Sequence, residues 1–213
     1  MKETNLITLS NVKLGGNIPQ LNMPYAITCR PDAPCFKQCY CNHGNMAFAS
    51  VRNSHKNKLE LYKEDPKKFF EKIDFELSFV TYKYFRWHSA GDIVDEQYLD
   101  LMCWLARRHK ETRFLCFTKK YELVNNYLNN HRKPSNLVLV LSNWGTWRVE
   151  NPHNLPESFV DFGNGDEEIP VFAYECPGRC EACNGQHCWH LNKGQSVCFH
   201  KHWLNQRRKE TWK

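Results

Sequence analysis

Leu137-Val138-Leu139-Val140-Leu141 is an unbroken aliphatic run, preceded by Pro134-Ser135-Asn136 and followed by Ser142-Asn143. A strand with one wet face would alternate apolar and polar residues. A continuous run predicts burial on both faces, as parallel sheets require. Upstream, residues 119–129 read as a helix and Arg113 to Phe117 as another strand. Asp95 can cap a helix whose stripe is Tyr98, Leu101, Met102 and Leu105. Tyr84-Phe85-Arg86-Trp87-His88 predicts a strand that ends at Ser89-Ala90-Gly91-Asp92. Asp65-Pro66 supplies the cap and first-turn proline of a helix with Phe69, Phe70, Ile73, Leu77 and Val80 on one face. Residues 46–63 are helix-permissive, and Tyr25-Ala26-Ile27-Thr28 reads as a short extended piece. Downstream, residues 144–169 are rich in Pro, Gly, Asn and Asp and read as a long loop. Ile169-Pro170-Val171-Phe172-Ala173 reads as a last strand, with its proline where it costs least.

Alternating strands and helices predict an α/β fold with a mostly parallel sheet. About 150 residues of such units fall short of the roughly 250 of a complete eight-fold barrel. The expectation is therefore a partial barrel over residues 1–173, with a small cysteine-rich metal-binding appendage over residues 174–213. In parallel sheets ligands bind at the carboxyl ends of the strands. The first cysteine loop, Ser89 to Asp92, Thr118-Lys119 and Ser142-Asn143 are all expected on that rim.

The 213 residues are 41% hydrophobic and 14% aromatic, which excludes wholesale disorder. No apolar stretch reaches the roughly 18 residues of a membrane span. The start, MKETNLITLSNVKLGG, has neither an apolar h-region nor a small-residue cleavage site, so a cytoplasmic chain is expected. A net charge of +6, with basic residues spread along the chain apart from Gln206-Arg207-Arg208-Lys209, permits a polyanionic partner without arguing for one.

Eleven cysteines are the anomaly, and in a reducing compartment close-set thiols read as metal ligands rather than disulfides. The first set is Cys29-x5-Cys35-x3-Cys39-Tyr40-Cys41, without the paired C-x2-C knuckles that zinc normally takes. An iron–sulfur cluster is favoured, with zinc and spare thiols as the alternatives. Cys39 and Cys41 flank one residue and would face opposite sides of an extended segment, so Cys29, Cys35 and Cys39 are the expected ligands. Three ligands leave one iron of a [4Fe-4S] cluster open to a small molecule. The second set, Cys176, Cys180, Cys183 and Cys188, puts four thiols within thirteen residues, a complete tetrahedral set for a second iron–sulfur centre or for zinc. Cys198, His200 and His202 are alternates. Cys103 and Cys116 read as core.

Arg86-x-His88-Ser89-Ala90-Gly91-Asp92 puts small residues at a strand end, where a ligand can approach the backbone. Asp92 could hold an amine there or simply cap the next helix. Lys119 could take a carboxylate or phosphate. CRPDAPCFKQCYCNHGN, FRWHSAGDIVDEQYLDLM and ETRFLCFTKK, in that order, closely resemble the uncharacterised phage-encoded gene-product-eighty-eight family over residues 25–145. The resemblance implies a C-x5-C-x3-C-Y loop at Cys29, Cys35, Cys39 and Tyr40. It also implies an R-x-H-x-A-G-D rim at Arg86, His88, Ala90, Gly91 and Asp92, and an F-T-K rim at Phe117, Thr118 and Lys119. Family members can carry alanine where this chain has Cys41.

More distantly the arrangement is similar to radical S-adenosylmethionine enzymes, which carry a three-cysteine cluster and a small-small-acidic motif that holds the cofactor's amine. That implies S-adenosylmethionine at Arg86, His88, Asp92 and Lys119, although the usual loop is C-x3-C-x2-C. Cys176-x3-Cys180-x2-Cys183 looks like the auxiliary cluster sites appended to such barrels. Three readings remain open: a radical enzyme acting on a small molecule, a redox or structural cluster protein with a redox partner, and a zinc-stabilised module for nucleic acid.

Overall fold

A computed structural model describes residues 5–9, 12–145, 147, 149–165, 168–183 and 186–201. Seven strands form one sheet: β1 (Gln20–Leu21), β2 (Tyr84–Trp87), β3 (Arg113–Thr118), β4 (Leu137–Ser142), β5 (Glu157–Asp161), β6 (Tyr174–Glu175) and β7 (Ser196–His200). Their order is β1-β2-β3-β4-β5-β7-β6, and every neighbouring pair is parallel. Four helices, α1 (Ala49–Glu64), α2 (Pro66–Ser78), α3 (Glu96–Arg108) and α4 (Tyr121–Asn130), lie between β1 and β4 in the chain. The winding steps from β1 to β5 without reversing. Right-handed crossovers taken in one direction put every helix on the same face.

The two faces are filled differently. On the helix side, Leu21, Phe85, Trp87, Phe114, Cys116, Leu137, Leu139 and Leu141 pack with Phe70, Ile73, Leu99, Met102, Val124 and Tyr127 of the helices. On the other face, Tyr84, Leu115, Val138, Val140 and Val197 pack with Leu14, Ile18, Trp189 and Leu191 of short 3-10 turns and coil, with no α-helix. β4 is therefore aliphatic from Leu137 to Leu141 because consecutive side chains face opposite cores. Asp65 and Asp95 act as expected, accepting hydrogen bonds from the Lys68 and Tyr98 amides at 2.9 and 2.8 Å.

The described part of residues 174–213 is built into the sheet. It contributes β6 and β7, and its Trp189 Nε1 donates to the Phe85 carbonyl at 3.0 Å while Arg113 Nε donates to the Trp189 carbonyl at 2.9 Å. The Cys180 amide bonds the Lys13 carbonyl at 2.8 Å. The cysteine-rich segment is thus the cover of the helix-free face rather than an appendage beside it. The partial-barrel expectation is met as far as a parallel, one-way-wound α/β sheet, with β1 and β6 at its ends.

Three local expectations need correction. Tyr25 to Thr28 is a turn, not an extended piece: Ala26 has φ 67°, and the Thr28 amide and hydroxyl both bond the Pro24 carbonyl. The first strand lies earlier, at Gln20–Leu21. Ile169 to Ala173 is not a strand, because Pro170 offers no amide and its carbonyl takes the Ala173 amide in a local turn at 2.9 Å. Val171 and Phe172 are 92% and 96% exposed. The long loop over 144–169 contains β5, whose Glu, Ser and Asp positions hide a short strand with only Phe159 and Val160 apolar.

Candidate metal and ligand site

The carboxyl ends of β2, β3 and β4 form the expected rim, and Asp92 ties it together. The chain leaving β1 is pinned there first. The Met23 amide bonds the Ala90 carbonyl at 3.0 Å, and the Ala90 amide bonds Asn22 Oδ1 at 3.0 Å. Gly91, at φ +81°, lies so close that a Cβ would sit 2.6 Å from the Met23 carbonyl oxygen. The Asp92 amide then donates to Thr28 Oγ1 at 3.0 Å, directly before Cys29. Its Oδ1 accepts from Thr118 Oγ1 at 2.6 Å and from the Ile93 amide at 2.8 Å, and its Oδ2 accepts from the Lys119 amide at 2.9 Å. Burial pushes the Asp92 carboxyl up, against the pull of these donors. A carboxylate offers about four acceptor positions, so at most one remains for a ligand amine. Lys119 Nζ donates to Ser142 Oγ at 2.6 Å, which joins β3 to β4.

The first cysteine loop sits above this rim in short 3-10 turns at Phe36–Gln38, Tyr40–Asn42 and Gly44–Ala47. Cys29 is pushed up to about 12 by burial first, then by Asp92, with Cys39 and Cys35 also raising it. Burial likewise raises Cys35, while the Lys119 ammonium pulls it down. Cys39 is held down, chiefly by the neighbouring Cys41 thiol as a donor, with Lys119 assisting. Cys41 is raised as that donor, further by burial, and by Cys39 and Cys29 as neighbours. The four thiols therefore share one electrostatic neighbourhood. Cys41 does not face away from Cys39, as an extended segment would require, because the backbone there is a 3-10 turn and Cys41 is buried.

The second set gathers in the same way on the helix-free face. Burial raises Cys176, Cys180 and Cys188, the last two to about 11 and about 12, and the set's other thiols add to each shift. The Cys183 thiol accepts from the His187 amide at 3.3 Å and meets the Tyr174 hydroxyl at 3.3 Å. The Gly178 amide donates to Cys176 Sγ at 3.4 Å. Among the described residues, no three His, Cys, Asp or Glu side chains are drawn into the geometry of a single-ion site.

The remaining expected residues fall in distinct places. Arg86 lies on the helix-free face, its guanidinium 4.2 Å from the Phe117 ring centroid, with Tyr40, Cys116, Cys188 and Cys180 within electrostatic reach. His88 sits beneath the rim at φ 55°, with Nε2 3.0 Å from the Tyr98 hydroxyl and Nδ1 3.8 Å from Cys116 Sγ. Burial, then Arg86 and Lys120, lower it to about 3, so it is neutral. Cys198 is buried in β7, and His200 meets Asp161 Oδ2 at 2.8 Å and Glu175 Oε1 at 2.5 Å. Cys103 and Cys116 are core, as expected. His202 and the basic run 206–209 lie outside the described residues. The reading of the sequence missed Thr28 as an anchor of the rim; its place immediately before Cys29 was the available signal.

Residues 1–167 match the family model described as gene product 88. No curated protein and no solved structure matches the chain. Among the described residues no helix is long and apolar enough to cross a membrane.

Proposed function

The chain belongs to the gene product 88 family, and we propose that it is an iron–sulfur protein whose N-terminal loop presents an open metal position to a small molecule. The observation that carries this reading is the meeting of Cys29, Cys35, Cys39 and Cys41 beside the Asp92–Lys119 rim, within electrostatic reach of one another, of Asp92 and of Lys119. All-sulfur donor sets suit iron–sulfur clusters, and the deprotonated thiol is the ligand. Cys29, Cys35 and Cys39 would hold a [4Fe-4S] cluster, and Cys176, Cys180, Cys183 and Cys188 a second cluster or zinc. When bound, a cluster with one open iron supplies one-electron chemistry.

The chain's own residues set the surroundings. Asp92 fixes Cys29 through Thr28 and holds the two strand ends at constant separation. Lys119 places a cation beside Cys35 and Cys39, where the carboxylate of an amino acid-like ligand such as S-adenosylmethionine would need one. The one-way-wound parallel sheet supports a barrel of the radical S-adenosylmethionine type, and the C-terminal cysteine set supports an auxiliary centre.

A second reading is favoured by the closeness of Cys41 to both Cys39 and Cys29. Cys41 would then be a fourth ligand, the centre would be closed, and the protein would carry electrons or stabilise structure without a substrate.

Anaerobic purification with iron, sulfide and zinc analysis tests the centres. Adding S-adenosylmethionine to the reduced protein and recording its paramagnetic spectrum tests the open position. The proposed reading expects near-equal iron and labile sulfide and a shifted signal. Stoichiometric zinc without visible absorbance would end it. An unchanged signal, together with a Cys41→Ser variant of altered spectrum, would establish the closed site.

A further inference from the structure

β2 alternates its side chains between the two cores, so Arg86 shares the helix-free face with Tyr84, two residues before it. It pairs in register with Leu115, which belongs to that same core. Phe117, whose ring centroid lies 4.2 Å from the guanidinium, packs against that core together with Cys176, Cys180 and Cys188. Arg86 Nε is buried and has no hydrogen-bond partner. Among the described residues no carboxylate pairs with this cation. A guanidinium keeps its charge throughout the range in which proteins fold.

Around it lie the Tyr40 phenol and the thiols of Cys116, Cys188 and Cys180. Cys180 and Cys188 belong to the second set, whereas the cation that reaches Cys35 and Cys39 of the first loop is Lys119. Cys176 is reached instead by Lys13, whose carbonyl also holds the Cys180 amide at 2.8 Å. Two cations therefore attend the second set, Arg86 from the sheet and Lys13 from the exposed side. Cysteine ligates metal as the thiolate, so loading turns the four thiols into anions. A divalent metal or a doubly positive cluster among them keeps a net double negative charge, which two cations match. Charge of that kind inside a core needs a partner. An orphaned buried N–H on a fixed cation fits a centre that becomes anionic only when metal binds.

We propose that Arg86 is the counter-ion of a metal centre held by Cys176, Cys180, Cys183 and Cys188, its orphaned Nε–H kept for a metal-bound thiolate. This deepens the reading above and rests on it only as far as the second set holding a metal, cluster or zinc alike. It also takes Arg86 away from the small-molecule rim, where the resemblance to radical S-adenosylmethionine enzymes would put it, and leaves Lys119 as the cation there.

The test uses the anaerobically purified full chain, loaded and after removal of metal. Iron, sulfide and zinc are followed against rising chelator, and the Cys180→Ala/Cys183→Ala variant marks the fraction that belongs to the second set. Arg86→Gln should release that fraction at about ten- to hundredfold lower chelator, as loss of an outer partner of a metal site does. The first-loop fraction should stay as in wild type. Arg86→Lys, a point charge without the planar fork, should fall between the two. Lys13→Gln should release less than Arg86→Gln, and its effect should fade in high salt because Lys13 is exposed. In metal-free protein the sign reverses. Arg86→Gln should there unfold at a higher urea midpoint than wild type, since it removes an uncompensated buried charge. A residue that served packing alone would lower the midpoint in both states.

If Arg86→Gln does not fold, Arg86→Lys carries the test, with a loosened second fraction and an unchanged first one. Second-set metal held as tightly by the Arg86 variants as by wild type overturns the proposal and leaves the metal reading standing. So does a urea midpoint lowered alike with and without metal. Wild-type metal content that the Cys180→Ala/Cys183→Ala change does not alter overturns the second centre itself, and the counter-ion with it.

Discussion

At the scale of single residues, Asp92 and His88 carry the rim, and each predicts a measurable effect. Asp92→Asn keeps an acceptor for Thr118 and Ile93, but it turns an amide toward the Lys119 amide, donor against donor. Loss of one buried bond of this kind costs about 1–3 kcal/mol. Urea unfolding should show that loss, and the N-terminal set should retain less metal than the C-terminal one. Equal loss from both sets would detach Asp92 from the Cys29 loop. His88 titrates at about 3 in the folded chain, against an ordinary value of 6.5. The unfolded chain therefore binds the proton first, and stability falls as pH drops from 6.5 toward 3. The slope attributable to this group approaches about 1.4 kcal/mol per pH unit. His88→Gln should flatten the urea midpoint's dependence on pH across that window, and an unchanged dependence would mean that His88 is not buried neutral.

At the scale of elements, β4 and the segment before β6 make a controlled contrast. Leu139 is fully buried on the helix side of β4, whereas Phe172 is 96% exposed in the turn after Pro170. Leu139→Ala should cost about 2–5 kcal/mol. Phe172→Ser should stay within about 0.5 kcal/mol of wild type, as exposed positions do. If Phe172→Ser proved the more damaging in denaturant titration, the segment would be a packed strand after all. β4 was legible because both its faces are buried and nothing polar interrupts it. β5 and β7 were not, since Ser158, Glu157, Asp161 and His200 carry partners that only the folded sheet supplies. His200 is matched by Asp161 and Glu175 from neighbouring strands, a pairing no local pattern encodes.

The whole molecule depends on its C-terminal segment for one of its two cores. Trp189 and Leu191 cover Leu115, Val138 and Val140 on the helix-free face, and Val197 of β7 extends that face. A chain ended at residue 173 would expose those residues together, so it should bind a hydrophobic dye and lose its cooperative urea transition. A sharp transition near the full-length midpoint would show instead that residues 1–173 fold as an independent domain. The Cys180→Ala/Cys183→Ala double variant should fall between the two. It should lose the second centre and weaken the cover, because metal binding there is folding energy, while β4 and the first loop persist. Loss of all metal in that variant would mean that the two cysteine sets form one site.

Sequence alone determined the α/β class, the parallel β4, the caps at Asp65 and Asp95, and the grouping of the cysteines into two sets. These rest on local periodicity, on capping chemistry and on spacing along the chain. The tertiary structure decided what those groups face. It turned Cys41 toward Cys39 because the loop coils into a 3-10 turn. It used most of Asp92's hydrogen-bonding capacity on strand ends that are adjacent only in the folded sheet. It also brought the second cysteine set over the Arg86 face, because one-way winding puts every helix on the opposite side and leaves an apolar surface that the C-terminal segment covers.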